Sequence, residues 1–280
     1  HAVPDVTGPG PYAVGQTTVT FTKNSVTTGE PRPLATVIWY PAEPGTGSPV
    51  GGVLAEADVK RGRWPVLLFS HGLCGIPTQS RFFTTALASW GFVVAAPPHP
   101  GGQITDGFPH CVQTLNDSFA NRVADMQFLV DQLLAADRQP GSRFARHLKS
   151  RRIGMSGHSF GGQTTMRVAA AEPRIRAALA LAPAFYGPSV STLQVTIPSM
   201  IMTGENDSLA PFETNAEPYY AELSGPRFLV KILNTGHSAF ADVCRSGIFS
   251  DGHECDPGTL TQDEAHAFVL RHAVPFLLRY

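Results

Sequence analysis

Long apolar runs are missing from this sequence: none reaches the roughly 18 residues that a membrane-spanning helix requires. Net charge is missing too. The 21 lysines and arginines face 22 acids, a formal charge of −1, so no global field draws nucleic acid or marks a strongly acidic ligand. No CxxC pair occurs among the four cysteines, Cys74, Cys111, Cys244 and Cys255, which argues against zinc. No repeat, charge block or long linker divides the chain, and a single domain over residues 1–280 is expected. No signal-peptide pattern is visible, and the opening HAVPDVTGPGP reads as a processed end.

What is present is ample apolar material, 42% of residues, which argues against global disorder. The even cysteine count fits two disulfides in an exported protein; the alternative is four reduced thiols in a cytosolic enzyme. Three pairings are possible, and closeness in sequence favours Cys244–Cys255, which leaves Cys74–Cys111. The one basic cluster, RFARHLKSRR (143–152), precedes an expected strand and reads as a solvated connection.

Short apolar runs alternate with longer amphipathic ones. TTVTFT (17–22) and ATVIWY (35–40) have the alternation of antiparallel strands. PVLLFS (65–70), GFVVAAP (91–97), RIGMSG (152–157), AALALAP (177–183), SMIMTG (199–204) and FLVKILN (228–234) are continuous apolar runs, as strands covered on both faces require. Helices are expected near 78–90, 116–136, 160–171 and 214–223. A last one starts at Thr261 and Glu264, spaced as a capping box, with Pro275 kinking it. The Pro- and Gly-rich stretches 41–52, 97–102 and 183–188 read as loops. This order predicts an α/β fold with a mainly parallel central sheet flanked by helices. Ligands then collect outside the carboxyl ends of the strands.

The residues after those strands carry a consistent chemistry. Gly157-His158-Ser159-Phe160-Gly161 fits G-x-S-x-G between a strand and a helix. A serine there sits on a sharp, strained turn, and side chains at Gly157 and Gly161 would collide with the neighbouring strand and helix. LLFSHGLCG (67–75) is a strand running into His-Gly, where one oxyanion donor of this class lies; the donors would be the N–H groups of Leu73 and Phe160. His71 reads as a structural histidine holding that loop. SMIMTGENDSLAP (199–211) ends a strand in acids, of which Asp207 is the expected histidine orienter and Glu205 a surface or loop-bracing residue. VKILNTGHSAF (230–240) places His237 after the last strong strand, as a base must be. His158, His99, His266 and His272 read as packed or exposed histidines. The order Ser159, Asp207, His237 is that of the α/β-hydrolase triad.

On these motifs the chain resembles the lid-poor serine esterases of the α/β-hydrolase superfamily over nearly its whole length. HGLCG with GHSFGG is similar to plasma-type platelet-activating-factor acetylhydrolases and their bacterial dienelactone-hydrolase-like relatives. GPYAV, TVTFT, TVIWYPA, ENDSLAP and the GHS around His237 resemble bacterial cutinases and poly(ethylene terephthalate) hydrolases. The resemblance implies Ser159 as nucleophile, His237 as base, Asp207 as its orienter, and a secreted protein. The chain departs from the polyester hydrolases at three places. It has Leu73 where they carry an aromatic residue, Phe160 where they carry methionine, and Phe185 with Tyr186 where they place a tryptophan.

Only residues 181–198 separate two core strands where many lipases insert a helical cap, so no large cap domain is expected. The site should be open, suited to bulky esters, with Leu73, Phe160, Phe185 and Tyr186 as apolar walls. Ordinary loop packing is the alternative for the last two. A Cys74–Cys111 bridge would pin the oxyanion loop. The expected activity is serine-dependent ester hydrolysis through an acyl-enzyme, with no metal or organic cofactor. The partner is an ester substrate, polymeric or lipid; nucleic acid is not expected, and the chain is read as a monomer. The alternatives are a short-acyl lipid esterase, an amidase or peptidase, and a hydrolase-fold binding module without catalysis.

Overall fold

The computed structural model describes residues 5–186, 193–242 and 259–280. Cys244 and Cys255, with their expected pairing, lie outside them, as does part of the 183–188 loop.

The strands are β1 (Val14–Asn24), β2 (Pro31–Pro41), β3 (Ser48–Val50), β4 (Val53–Ala55), β5 (Trp64–Ser70), β6 (Cys74–Gly75), β7 (Val93–Ala96), β8 (Leu148–His158), β9 (Ile175–Leu181), β10 (Ser199–Gly204) and β11 (Arg227–Ile232). The helices are α1 (Arg81–Ser89), α2 (His110–Gln113), α3 (Leu115–Arg138), α4 (Phe160–Ala171), α5 (Ala216–Glu222) and α6 (Gln262–Arg279). Ten strands form one sheet in the order β11-β10-β9-β8-β5-β7-β2-β1-β4-β3. Neighbours from β11 to β7 run parallel, and β2 joins β7 antiparallel. This is the α/β-hydrolase fold that the alternation of elements predicts.

Side-chain alternation along β5 shows why both its faces are apolar. Leu67 and Phe69 enter one core with Phe83 and Leu87 of α1 and Val269 and Ala273 of α6. Val66 and Leu68 enter the other with Met126, Leu129 and Leu133 of α3. Each fully buried side chain of this size contributes roughly 1.5–3 kcal/mol. α6 begins with the expected capping box: Thr261 Oγ1 accepts the Glu264 N–H, and Glu264 Oε2 accepts the Thr261 N–H. Pro275, expected to kink this helix, lies within it, and the helix continues to Arg279.

The reading of 41–52 as a loop is corrected. Its end belongs to a hairpin of β3 and β4, which is held because Leu54 and Ala55 pair with Gly15 and Gln16 of β1. Three-residue strands carry too little periodicity to be seen without that partner.

Candidate active site

β8 ends at His158 and α4 begins at Phe160, so Ser159 alone turns the chain. Its φ of 59° and ψ of −120° lie outside the regions L-residues favour. Such a conformation costs on the order of 1–3 kcal/mol and persists only where the surroundings enforce it. The enforcement is visible. The Ser159 N–H donates to Leu181 O at 2.9 Å, and Ser159 O accepts the N–H of Gln163 and of Ala184 at 3.1 Å each. A methyl on Gly161 would fall inside the Ser70 carbonyl oxygen, and one on Gly157 inside the carbonyl of Gly161. The glycines let β5, β8 and α4 meet at contact distance and leave the serine at their junction.

β11 is followed by a single 3₁₀ turn, His237–Phe240, that carries the imidazole. Glu205 braces the approach: its Oε2 accepts the Asn234 N–H at 3.0 Å. Gly204 at the end of β10 is required there, since a Cβ would lie 2.5 Å from Thr235 O. Asp207 Oδ2 accepts from His237 Nδ1 at 2.8 Å, while its Oδ1 accepts the N–H groups of Leu209 (3.1 Å) and Ala210 (2.7 Å). With Nδ1 carrying the proton, Nε2 presents a lone pair. Among the described residues, neither Nε2 nor Ser159 Oγ has a protein hydrogen-bond partner, including each other. Bonds of this kind often tighten only once substrate is bound.

The serine and histidine loops are tied together by His158, the packed histidine of the elbow, and by Gln79, which no motif in the sequence marks. The rings of His158 and His237 lie 4.6 Å apart, and His158 Nε2 donates to His237 O at 3.0 Å. His158 Nδ1 accepts from Gln79 Nε2 at 2.9 Å, and Gln79 Oε1 accepts the Gly72 N–H at 2.9 Å. One relay of side chains thus links the loop after β5, the elbow and the histidine turn. A Cβ on Gly72 would stand 3.3 Å from Ser159 Cβ, so the loop passes directly over the serine. Among the described residues, no protein acceptor takes the N–H of Leu73 or Phe160.

Beneath the loop is a buried polar network. Ser70 Oγ meets His99 Nε2 at 2.9 Å, and His99 Nδ1 meets Asp125 Oδ2 at 2.9 Å. Arg32 holds the same carboxylate through Nε and Nη2, each at 3.0 Å. His71 Nδ1 donates to Gly72 O at 2.7 Å, and its Nε2 accepts the His99 N–H at 3.2 Å, so His71 braces the loop. Burial holds His71, His99 and His158 well below the ordinary histidine value of 6.5, reinforced by Arg122 for the first two and by His237 for His158.

Tyr186 meets the edge of Phe160, ring centroids 5.0 Å apart. Phe185 turns instead toward Tyr219 of α5 at 5.5 Å, and its N–H donates to Asn215 Oδ1 at 2.7 Å. Cys74 and Cys111 are disulfide-bonded, Cα atoms 5.3 Å apart, so the bridge fixes the residue after Leu73 to α2. No group of three or more His, Cys, Asp or Glu with metal-holding geometry occurs among the described residues.

Fold and site together define a chain of the α/β-hydrolase class. More particularly, it belongs to the PET hydrolase-like family, whose model matches residues 60–248, well over half of the chain. Among its relatives are cutinase est1 of Thermobifida alba, 25% identical over 175 residues covering 62% of this chain and 53% of the relative. A bis(hydroxyethyl) terephthalate hydrolase of Streptomyces coelicolor is 25% identical over 194 residues, covering 69% and 56%. The chain spans about half the length of these curated relatives. A ferulic acid esterase from Streptomyces cinnamoneus shares the fold at a TM-score of 0.76 and 22% identity, over 96% of this chain and 90% of that one.

Two outcomes follow from the buried groups. His71, His99 and His158 take up protons below about pH 6.5 in the unfolded chain but not in the folded one. Stability is therefore level above that pH on their account and falls as pH drops below it, by up to about 1.4 kcal/mol per pH unit for each histidine. Urea midpoints measured between pH 7.5 and 5 check this; a flat profile contradicts it. Replacing Cys74 and Cys111 together by alanine opens a crosslink spanning 37 residues. The expected loss is about 4 kcal/mol by the chain-entropy model, read from urea unfolding.

Proposed function

We propose that the protein is a serine-dependent carboxylic-ester hydrolase of cutinase and polyester-hydrolase character that works through an acyl-enzyme on Ser159. One observation carries the reading: Ser159, on a strained strand-to-helix turn, directly follows His158, whose Nε2 donates to His237 O at 3.0 Å, and His237 Nδ1 is held by a buried carboxylate at 2.8 Å. Family membership and the esterase activities named for its relatives support the same chemistry.

In the reaction, His237 Nε2 takes the Ser159 proton as Oγ bonds to the ester carbonyl carbon. Asp207 keeps the imidazole in the Nδ1–H tautomer and stabilises the imidazolium. The carbonyl oxygen becomes an oxyanion received by the N–H groups of Leu73 and Phe160, a contribution of roughly 3–4 kcal/mol for one donor. The C–O bond to the leaving alkoxide breaks, and that oxygen takes the proton from His237. Water then gives a proton to the freed Nε2 as its oxygen bonds to the acyl carbon; the C–Oγ bond breaks, Oγ takes that proton back from His237, and the acid leaves.

The substrate reading is an ester on a bulky or polymeric body. Phe108 is 71% exposed and Val112 43%, flanking the Cys111 end of the bridge, and Leu209 is 63% exposed two residues after Asp207. Apolar side chains exposed beside a site offer a docking surface. Tyr186, half-buried, offers an aromatic wall, whereas Phe160, expected to share it, is fully buried with its ring against Tyr186 and the Arg122 guanidinium, and Phe185 packs on Tyr219. The disulfide supports secretion, since such bonds persist in oxidising compartments.

Ser159→Ala and His237→Ala are each expected to lower kcat on p-nitrophenyl butyrate by at least about 10³-fold with an unchanged fold. Fluorophosphonate should label the wild type at Ser159 alone. Turnover by Ser159→Ala at the wild-type rate would remove the assignment. Phe108→Ser with Val112→Ser is expected to slow polyester-film hydrolysis severalfold and leave the soluble ester unaffected; equal loss on both substrates would argue against the docking role.

A further inference from the structure

Arg122 is wholly buried in the first half of α3, and, among the described residues, all of its hydrogen bonds but one run to the oxyanion loop or the strand that feeds it. Its Nη2 donates to Gly72 O at 3.1 Å, and its Nη1 donates to His71 O and to Ser70 Oγ, the latter at 3.3 Å. Nε donates to Ser118 Oγ at 3.0 Å, the one anchor on its own helix. The guanidinium also lies under the Phe160 ring, 4.3 Å from its centroid. Among the described residues no carboxylate bonds to it; Asp125 is engaged by Arg32 and His99.

A buried cation without a bonded carboxylate is costly, and a structural loop brace would not require one. The chemistry gives it a use. Gly72 C=O and Leu73 N–H are the two ends of one peptide group. That carbonyl accepts two hydrogen bonds, from Arg122 Nη2 and from His71 Nδ1. A charged donor on the oxygen draws electron density across the amide and makes its N–H the stronger donor, as hydrogen-bond chains polarise one another in a dry interior. The same contacts lock the peptide plane, so its N–H needs no reorganisation when charge develops.

We propose that Arg122 is a positioning residue of the oxyanion site: from behind the loop it orients and polarises the Gly72–Leu73 peptide and adds its positive charge to the field in which the oxyanion forms. This rests on the assignment of Ser159 as nucleophile and of Leu73 and Phe160 as the donors.

The test compares the wild type, Ser159→Ala, Arg122→Lys and Arg122→Gln on p-nitrophenyl butyrate, with active sites counted by completed fluorophosphonate labelling. Phenylboronic acid, whose serine adduct is tetrahedral and anionic, serves as the transition-state probe. For Arg122→Gln, kcat per labelled site is expected to fall about 10- to 100-fold, with KM within about threefold and boronate affinity falling in step. Arg122→Lys, which keeps the charge and loses the fork, should lie between; it also serves alone if the glutamine variant does not fold. Unchanged kcat per site, or a loss confined to the number of labelled sites, overturns the proposal and leaves Arg122 a structural residue. A dead Ser159→Ala beside unaffected Arg122 variants removes this inference only. Activity retained by Ser159→Ala removes the nucleophile assignment and this inference with it.

Discussion

The site depends on a single close approach. Ser70 and Gly157 are paired neighbours at the ends of β5 and β8, and α4 starts immediately above them. Space for a side chain at residue 161 is already filled by the Ser70 carbonyl, so only glycine lets the helix descend onto the strands. That descent forces Ser159 into its left-handed conformation and lifts its hydroxyl off the sheet. It also sets the N–H of Phe160 at an open helix end, where the first amides of any helix lack intrahelical partners. The turn after β5 then passes over the serine with Gly72 in contact, and the N–H of Leu73, the proposed second donor, is carried on the same turn.

Holding that geometry requires polar groups in a place the solvent does not reach. Arg32, Arg122 and Asp125 are all buried below the loop, with His71 and His99 between them. Both histidines remain neutral because burial penalises their charged forms. Neutral rings can accept as well as donate, and His99 does both: it joins Ser70 to Asp125 without adding a further cation to a region that already holds Lys23, Arg32 and Arg122. His158 plays the same part on the other side, accepting from Gln79 and donating to the backbone of His237.

Much of this was legible beforehand because it is local. The strand expected at 199–204 coincides with β10, and the helix expected at 160–171 coincides with α4, since continuous apolar runs and glycine punctuation bound them on both sides. Ser159, Asp207 and His237 stood out by their positions after strands. Of the bracing residues, His71 and Glu205 were legible in their loops, whereas Gln79, Arg32, Arg122 and Asp125 were not, although one signal was there. Ser118, Arg122 and Asp125 occupy the same face of α3 as Leu129 and Leu133, so a core-facing stripe changes from polar to apolar along the helix. Polar residues on a buried stripe need partners, and, apart from the Ser118–Arg122 bond within the helix, those partners lie 26 to 93 residues away, on elements that only the fold brings near. The β3–β4 hairpin escaped notice for the same reason, being held by β1 rather than by its own sequence.

The sequence by itself determined the alternation of strands and helices, the glycines that permit a tight elbow, and the order of the proposed serine, acid and base. Those follow from side-chain periodicity and steric exclusion, which act over a few residues. Tertiary structure alone decided that Phe185 turns inward to Tyr219 while Tyr186 meets Phe160. The Cys74–Cys111 bridge bears out the pairing expected from the sequence, whereas tertiary structure alone decided that a buried arginine from α3 reaches the carbonyls of His71 and Gly72. Contacts between distant segments are set by which surfaces the sheet order brings together, and no local pattern encodes that order.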